Sequence, residues 1–360
     1  MFKLDKPLYF FLLWVAIVLL IRIIGQFTPF ADEAFPGVHL FFSKIIIAFS
    51  GIFPFSLGDV FYTVLGCLLL YWVIQVFIQI KNKNWVGFKK KISVFLIGLG
   101  LFTLIFHLFW GFNYYKTPIQ ESYSNENINA DELKRLAEFY LKESIESRRS
   151  LPENPDGIFE IRISKKEMGE EILKISPELT KMKELQLNGF TRPNLKTSLY
   201  STVFSYMGVL GYYNPFTAEA QYNSKMPDTK LIFTQFHETA HQWGAAPESE
   251  ANFIGFLIGT KSENKAFNYV SNYKALRSLL GKIFWEDREF VKSILENYSS
   301  AMERDRQFEI EIEKKYLHKA EDAFSMMNDA YLQLNNQEGV SSYGRFVELL
   351  VGYHRKYNPI

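Results

Sequence analysis

Residues 234–252 read TQFHETAHQWGAAPESEAN, and the spacing inside this stretch decides the second half of the chain. It contains H-E-x-x-H as His237, Glu238 and His241. Residues four apart share one face of a helix, so both imidazoles can reach a single ion. Nitrogen donors in this arrangement suit tetrahedral zinc. Glu238 follows the first histidine, where its carboxylate can act as general base on water activated by the metal. No other charged residue lies between Thr234 and Trp243, as expected of a core helix with only its metal face polar. Gly244 is a natural stop for this helix, and Pro247 suits the first turn of the next. Two helices joined by so short a loop pack as a hairpin. A catalytic zinc takes three protein ligands and keeps one position open, so a carboxylate at the start of the second helix would complete the set. Glu248 and Glu250 are both candidates, and being two apart they cannot both face the ion.

Moving towards the N-terminus, the composition changes. The chain has 360 residues, a formal net charge of +1 and 34 phenylalanines, many of them before residue 115. Residues 61–80 carry no charged side chain, and residues 92–112 carry only His107. Each is long enough to cross about 30 Å of hydrocarbon. Residues 7–24 form a third expected span, with Arg22 near its end able to snorkel. No small-x-small cleavage site follows it, which argues against a signal peptide. Residues 38–55 are apolar but broken by Lys44, Gly51 and Pro54, so an interfacial or re-entrant segment is expected there rather than a fourth span. Residues 81–91 (KNKNWVGFKKK) place five lysines between two spans. Positive short loops stay cytoplasmic, so the chain after the last span should emerge outside. The reading is a transmembrane anchor at 1–114 followed by an extracytoplasmic domain at 115–360, in the cytoplasmic (inner) membrane with that domain on the periplasmic side. The nearly balanced charge gives no basic stripe for nucleic acid, and the lone Cys67 excludes a disulfide framework.

The hydrophilic part reads as α+β, mostly helix with a small sheet. Helices are expected over 131–149, over 165–187 with a break near Pro177, over 230–243 and 248–260, through much of 265–334, and over 343–357. Short strands are expected at 159–163 and within 198–213. Residues 216–223 are a candidate edge strand able to bind an extended peptide by strand addition.

The elements His237-Glu-Thr-Ala-His-Gln-Trp-Gly244 and Glu248-Ser-Glu-Ala-Asn-Phe253 together resemble the DUF3810 family of bacterial membrane proteins. Asn214-Pro-Phe-Thr-Ala-Glu-Ala220, Trp110-Gly-Phe-Asn-Tyr114 and Ser342-Tyr-Gly-Arg345 add to the resemblance, which covers most of the chain. The Glu-Ala-Asn element is also similar to that of gluzincin-type peptidases, in which the glutamate before Ala-Asn is a zinc ligand. That likeness implies Glu250 as the third ligand and a zincin-like domain. A peptidase of this type uses a group that stabilises the oxyanion, for which Tyr343, Arg345 and His354 are the candidates. The expected function is a membrane-anchored zinc (Zn2+) endopeptidase acting on peptide or protein, with His237, His241 and Glu250 on the metal and Glu238 as base. The alternative is a membrane sensor that uses the same zinc fold without proteolysis, although its cytoplasmic loops are too short to be an effector.

Overall fold

A computed structural model of the chain describes residues 5–27, 29–123, 128–316 and 342–359. Its first helices are α1 (Lys6–Gln26), α2 (Phe35–Ser50), α3 (Leu57–Lys81) and α4 (Trp85–Phe109). With the π-turn at Phe30–Ala34 that precedes α2, four helical stretches are long and apolar enough to cross a membrane. Of these, α1 and α4 run parallel to each other and α3 runs antiparallel to both. At one end, Asp5 pairs with Lys89 at 2.6 Å, beside the lysine-rich turn between α3 and α4. At the other end lie the close of α1, the start of α3 and the close of α4, all in contact with the hydrophilic part. Tyr115 packs on Gly25, Glu219 accepts from the Gly58 N–H at 2.6 Å, and the Trp110 indole donates to the His241 carbonyl at 3.1 Å.

The second helix behaves differently, because both of its ends meet the hydrophilic side. Phe35 packs on Phe112 beyond the close of α4, while Ser50 accepts from the Asn194 amide at 2.8 Å. Its buried residues are Phe35, His39, Ser43 and Ser50, and its exposed face carries Phe41, Ile45 and Phe49. Lys44 is exposed on that outward face as well, and the stretch counted from Phe30 is one of the four long and apolar enough to cross a membrane. His107 bonds the Thr103 carbonyl of its own helix at 2.8 Å rather than a neighbouring helix.

The hydrophilic part is built on helices α5 (Ala130–Arg148), α6 (Lys165–Leu173), α7 (Ser176–Thr180), α8 (Ser201–Tyr206), α9 (Asp228–Gln242), α10 (Glu248–Thr260), α11 (Lys265–Ile283), α12 (Arg288–Glu296), α13 (Ser300–Tyr316) and α14 (Ser342–Tyr357). Helices α9, α10 and α11 form its centre, with Phe236, Ala240, Phe253, Ile254, Leu257 and Phe267 wholly buried. Each large apolar side chain there contributes about 1.5–3 kcal/mol by leaving water. Helix α5 packs along α11 and is pinned by a buried network. Arg148 donates to Asp305 at 2.7 and 3.2 Å, and Asp305 also accepts from the Phe159 N–H and the Tyr269 hydroxyl.

Three short strands, β1 (Leu195–Thr197), β2 (Gly211–Asn214) and β3 (Glu219–Tyr222), form a sheet in the order β1-β3-β2. β3 is parallel to β1 and antiparallel to β2. The residues expected to form an edge strand therefore supply the central one, and β2 is the edge. Of 159–163, only Phe159 makes a bridge, to Glu153; much of 198–213 is the turn-and-helix segment leading to β2. Side chains alternate across β3. Ala220 and Tyr222 join the core, while Glu219 and Gln221 face the turn between α2 and α3. Lys196 on β1 donates to the carbonyls of Ser50 and Phe53. The Tyr212 hydroxyl on β2 donates to Asp59 at 2.8 Å. The sheet thus sits on a polar saddle made by residues 50–59, and the boundary near residue 114 divides the chain in sequence rather than in packing.

Candidate metal centre

Helix α9 is enclosed between the sheet, α10 and α11, which explains why its sequence is apolar except for its metal-facing groups. It ends at Gln242, and Gly244 makes the turn at φ +101°, a region open to glycine at little cost. A side chain there would also strike Asn188, whose Nδ2 lies 2.3 Å from the Cβ position. The chain re-enters a helix at Glu248, so α9 and α10 form the expected hairpin.

The structure brings His237, His241 and Glu248 together, with ligand atoms all within 4.8 Å of one another. The two Nε2 atoms are 3.1 Å apart. Glu248 oxygens lie 3.0 Å from His237 Nε2 and 3.6 Å from His241 Nε2. Tetrahedral zinc with bonds of about 2.0–2.1 Å separates its ligand atoms by about 3.3 Å, so this spacing accepts such an ion. The far side of each ring is already committed. His241 Nδ1 donates to the Ala245 carbonyl at 2.6 Å, and His237 Nδ1 meets Asn252 Oδ1 at 3.2 Å. Those bonds leave the Nε2 lone pairs of the neutral rings turned towards each other and towards a carboxylate. A cation between them would be met by a donor atom from each.

The carboxylate that the structure places beside the two imidazoles is Glu248, where the sequence favoured Glu250. Helical side chains lean towards the helix N-terminus. A glutamate at the first position of α10 reaches back over the hairpin to the imidazoles. Glu250 lies about 200° further round the helix and accepts from the Ile119 N–H at 2.8 Å. Burial lifts it to about 7, against the Ile119 amide, Lys116 and Arg345, which lower it.

Glu238 is 4% exposed, and its Oε2 has no hydrogen-bond partner among the described residues. Burial raises it to about 8; His241 opposes this and Glu248 adds to it. Burial lowers His241, but the carboxylates of Glu248 and Glu238 outweigh it and lift the ring to about 9. Burial also raises Glu248, yet the two imidazoles hold it well below the usual carboxylate range. These opposing shifts mark a place where positive charge belongs. Edge strand β2 passes directly beside this base: a Cβ on Gly211 would lie 2.8 Å from Glu238 Oε1 and 2.7 Å from Thr234 Cγ2.

Of the oxyanion candidates, Arg345 is turned to Glu250 and His354 is buried against the Tyr140 hydroxyl at 2.6 Å, in the core beside α5. The structure thus does not bring His354 to the histidines. The side chain of Tyr343 lies outside the described residues. Sequence reasoning missed Asn252, the Ala245 carbonyl and Trp110. Asn252 had a legible signal, since its position two residues beyond the Glu248–Glu250 pair puts a polar side chain inside an otherwise apolar helix.

The family model for DUF3810, described as a protein of unknown function, matches residues 35–351. No curated protein and no solved structure matches the chain. The chain belongs to the DUF3810 family.

Proposed function

We propose that this member of the DUF3810 family is a membrane-anchored zinc peptidase. The observation that carries the reading is the convergence of His237, His241 and Glu248 beside an unpartnered, buried Glu238. Zinc held by those three side chains supplies a Lewis acid for a peptide carbonyl and for water. Asn252 and the Ala245 carbonyl fix the imidazole tautomers and so aim both Nε2 atoms inward. Glu238, raised towards neutrality by its burial, takes the proton of the attacking water and passes it to the departing amine. Edge strand β2 supplies backbone groups along which an extended peptide can lie beside that base.

The parallel run of α1 and α4 with α3 opposed to both, and both ends of α2 on the hydrophilic side, supports an odd number of crossings. With the lysine-rich turn at the far end from the hydrophilic part, the peptidase faces the outer side of the cytoplasmic membrane. The test is Glu238→Gln in the full-length protein. It should keep stoichiometric zinc and lose cleavage of a peptide library by about 10²–10⁴-fold, the usual share of a general base. Undiminished cleavage in that variant would remove the mechanism.

A further inference from the structure

Edge strand β2 descends into the membrane part. The Asn223 N–H donates to the Leu210 carbonyl at 2.8 Å, so the alternation of an antiparallel ladder assigns Tyr212 and Asn214 to β3 as well. The N–H and C=O groups of Gly211 and Tyr213 then point away from β3. Among the described residues no backbone group pairs with them. Gly211 lies against Glu238. Two residues later the Tyr213 ring packs on Trp110 at the close of α4, at 5.7 Å. After Asn214 the chain plunges further, and Phe216 lodges between the spans, 5.0 Å from Phe61 of α3 and 4.8 Å from Phe102 of α4. Phe61 is four residues inside α3 and Phe102 seven residues from the close of α4, which places them about 6 and 10 Å below those helix ends. At its opposite end β2 opens on a cleft of about 520 Å³ lined by Leu210, Thr229, Phe233, Thr234 and Lys274.

We infer that the substrate is the extended juxtamembrane segment of a membrane-anchored polypeptide, paired with the free edge of β2 and cut within a few residues of the bilayer. The inference rests on the peptidase reading above. An extended chain alongside β2 has one end in the cleft and the other at the lipid surface. A free peptide can occupy the cleft, but only a tethered one arrives already aligned with the descending strand. Gly211 is about four residues, or about 13 Å, from Pro215, where the chain leaves the strand and enters between the spans ahead of Phe216. The scissile bond, opposite Gly211 and Glu238, is therefore about four residues from the anchor.

The test uses the full-length, zinc-loaded protein in nanodiscs with one peptide sequence in three forms: free, and joined at either end to a single transmembrane helix in the same disc. The cut is mapped by mass spectrometry. A tethered form should be cleaved with a kcat/KM at least about 100-fold above the free peptide, as confinement predicts. Four polar residues inserted next to the anchor should move the cut to a new bond at the same distance from the membrane. In Glu238→Gln, a photoreactive residue about four positions from the anchor should crosslink to β2. Equal cleavage of the free form, a cut that follows sequence rather than distance, or no crosslink to β2 overturns the inference and leaves the peptidase reading standing. Cleavage of no form removes both.

Discussion

Glu248 and Glu250 stand two residues apart at the start of one helix, and only the first should matter to the metal. Zinc binding by a folded site of four donors is worth about 10–16 kcal/mol, or about 2.5–4 kcal/mol for each donor. Glu248→Ala should therefore weaken zinc by about 100- to 1,000-fold. Asn252→Ala leaves all three ligands in place but frees the His237 ring, whose Nδ1 it now meets at 3.2 Å; such a loss costs about 10–100-fold. Glu250→Gln retains an oxygen for the Ile119 N–H and should change affinity by less than about threefold, since second-sphere losses set the floor for any effect on the ion. The measurement is competition between stripped full-length protein and a chromophoric zinc chelator, with metal stoichiometry read by mass spectrometry. The predicted order is Glu248→Ala, then Asn252→Ala, then Glu250→Gln. Loss of zinc in Glu250→Gln with retention in Glu248→Ala would refute the geometry from which the order was worked out.

Other parts of the molecule give equally direct expectations. Gly211→Ala puts a methyl group 2.8 Å from Glu238 Oε1 and 2.6 Å from the Gln221 carbonyl; cleavage should fall at least about tenfold with zinc affinity unchanged, as misplacement at a reacting centre does, and an unaltered rate would show that β2 is not beside the base. Asp305→Ala leaves the buried Arg148 with only Glu153 and the Gly157 carbonyl and should destabilise the fold by about 3 kcal/mol, seen as a melting temperature about 10 °C lower; a shift under about 2 °C would mean that the network is not a keystone of the α5–α11 packing. Glu219→Ala orphans the Leu57 and Gly58 amides at about 1–3 kcal/mol each. Cysteine crosslinking between α3 and β3 should then decline, and unchanged crosslinking yields would argue that the saddle holds by other contacts.

How far the sequence could be read depended on whether local pattern or distant packing set each feature. The hairpin of α9 and α10 was legible because its limits are local: Gly244 stops one helix, Pro247 precedes the next, and the predicted 248–260 helix is the one observed. The end of α2 at Ser50 was legible because Gly51 and Pro54 interrupt its apolar run. Likeness to a Glu-Ala-Asn element favoured Glu250, whereas the structure sets Glu248 beside the two histidines. The geometry of a first-turn glutamate, leaning back towards the hairpin, favours position 248. The sheet was misread. Glu219 and Gln221 look like the solvent face of an edge strand, yet both are wholly buried, because residues 50–59 cover them. Nothing near 219 in sequence announces a partner some 160 positions earlier.

That distant partner has a consequence for biosynthesis. Translation proceeds from the N-terminus, and early segments fold before later ones are made. The corner formed by Ser50, Phe53, Gly58 and Asp59 is in place, held by inserted helices, before β1 and β3 leave the ribosome. Lys196 and Glu219 find their counter-groups only on that waiting template. A chain that failed to insert would have no seat for its sheet and no strand beside Glu238. Completion of the sheet beside Glu238 is thus tied to membrane integration.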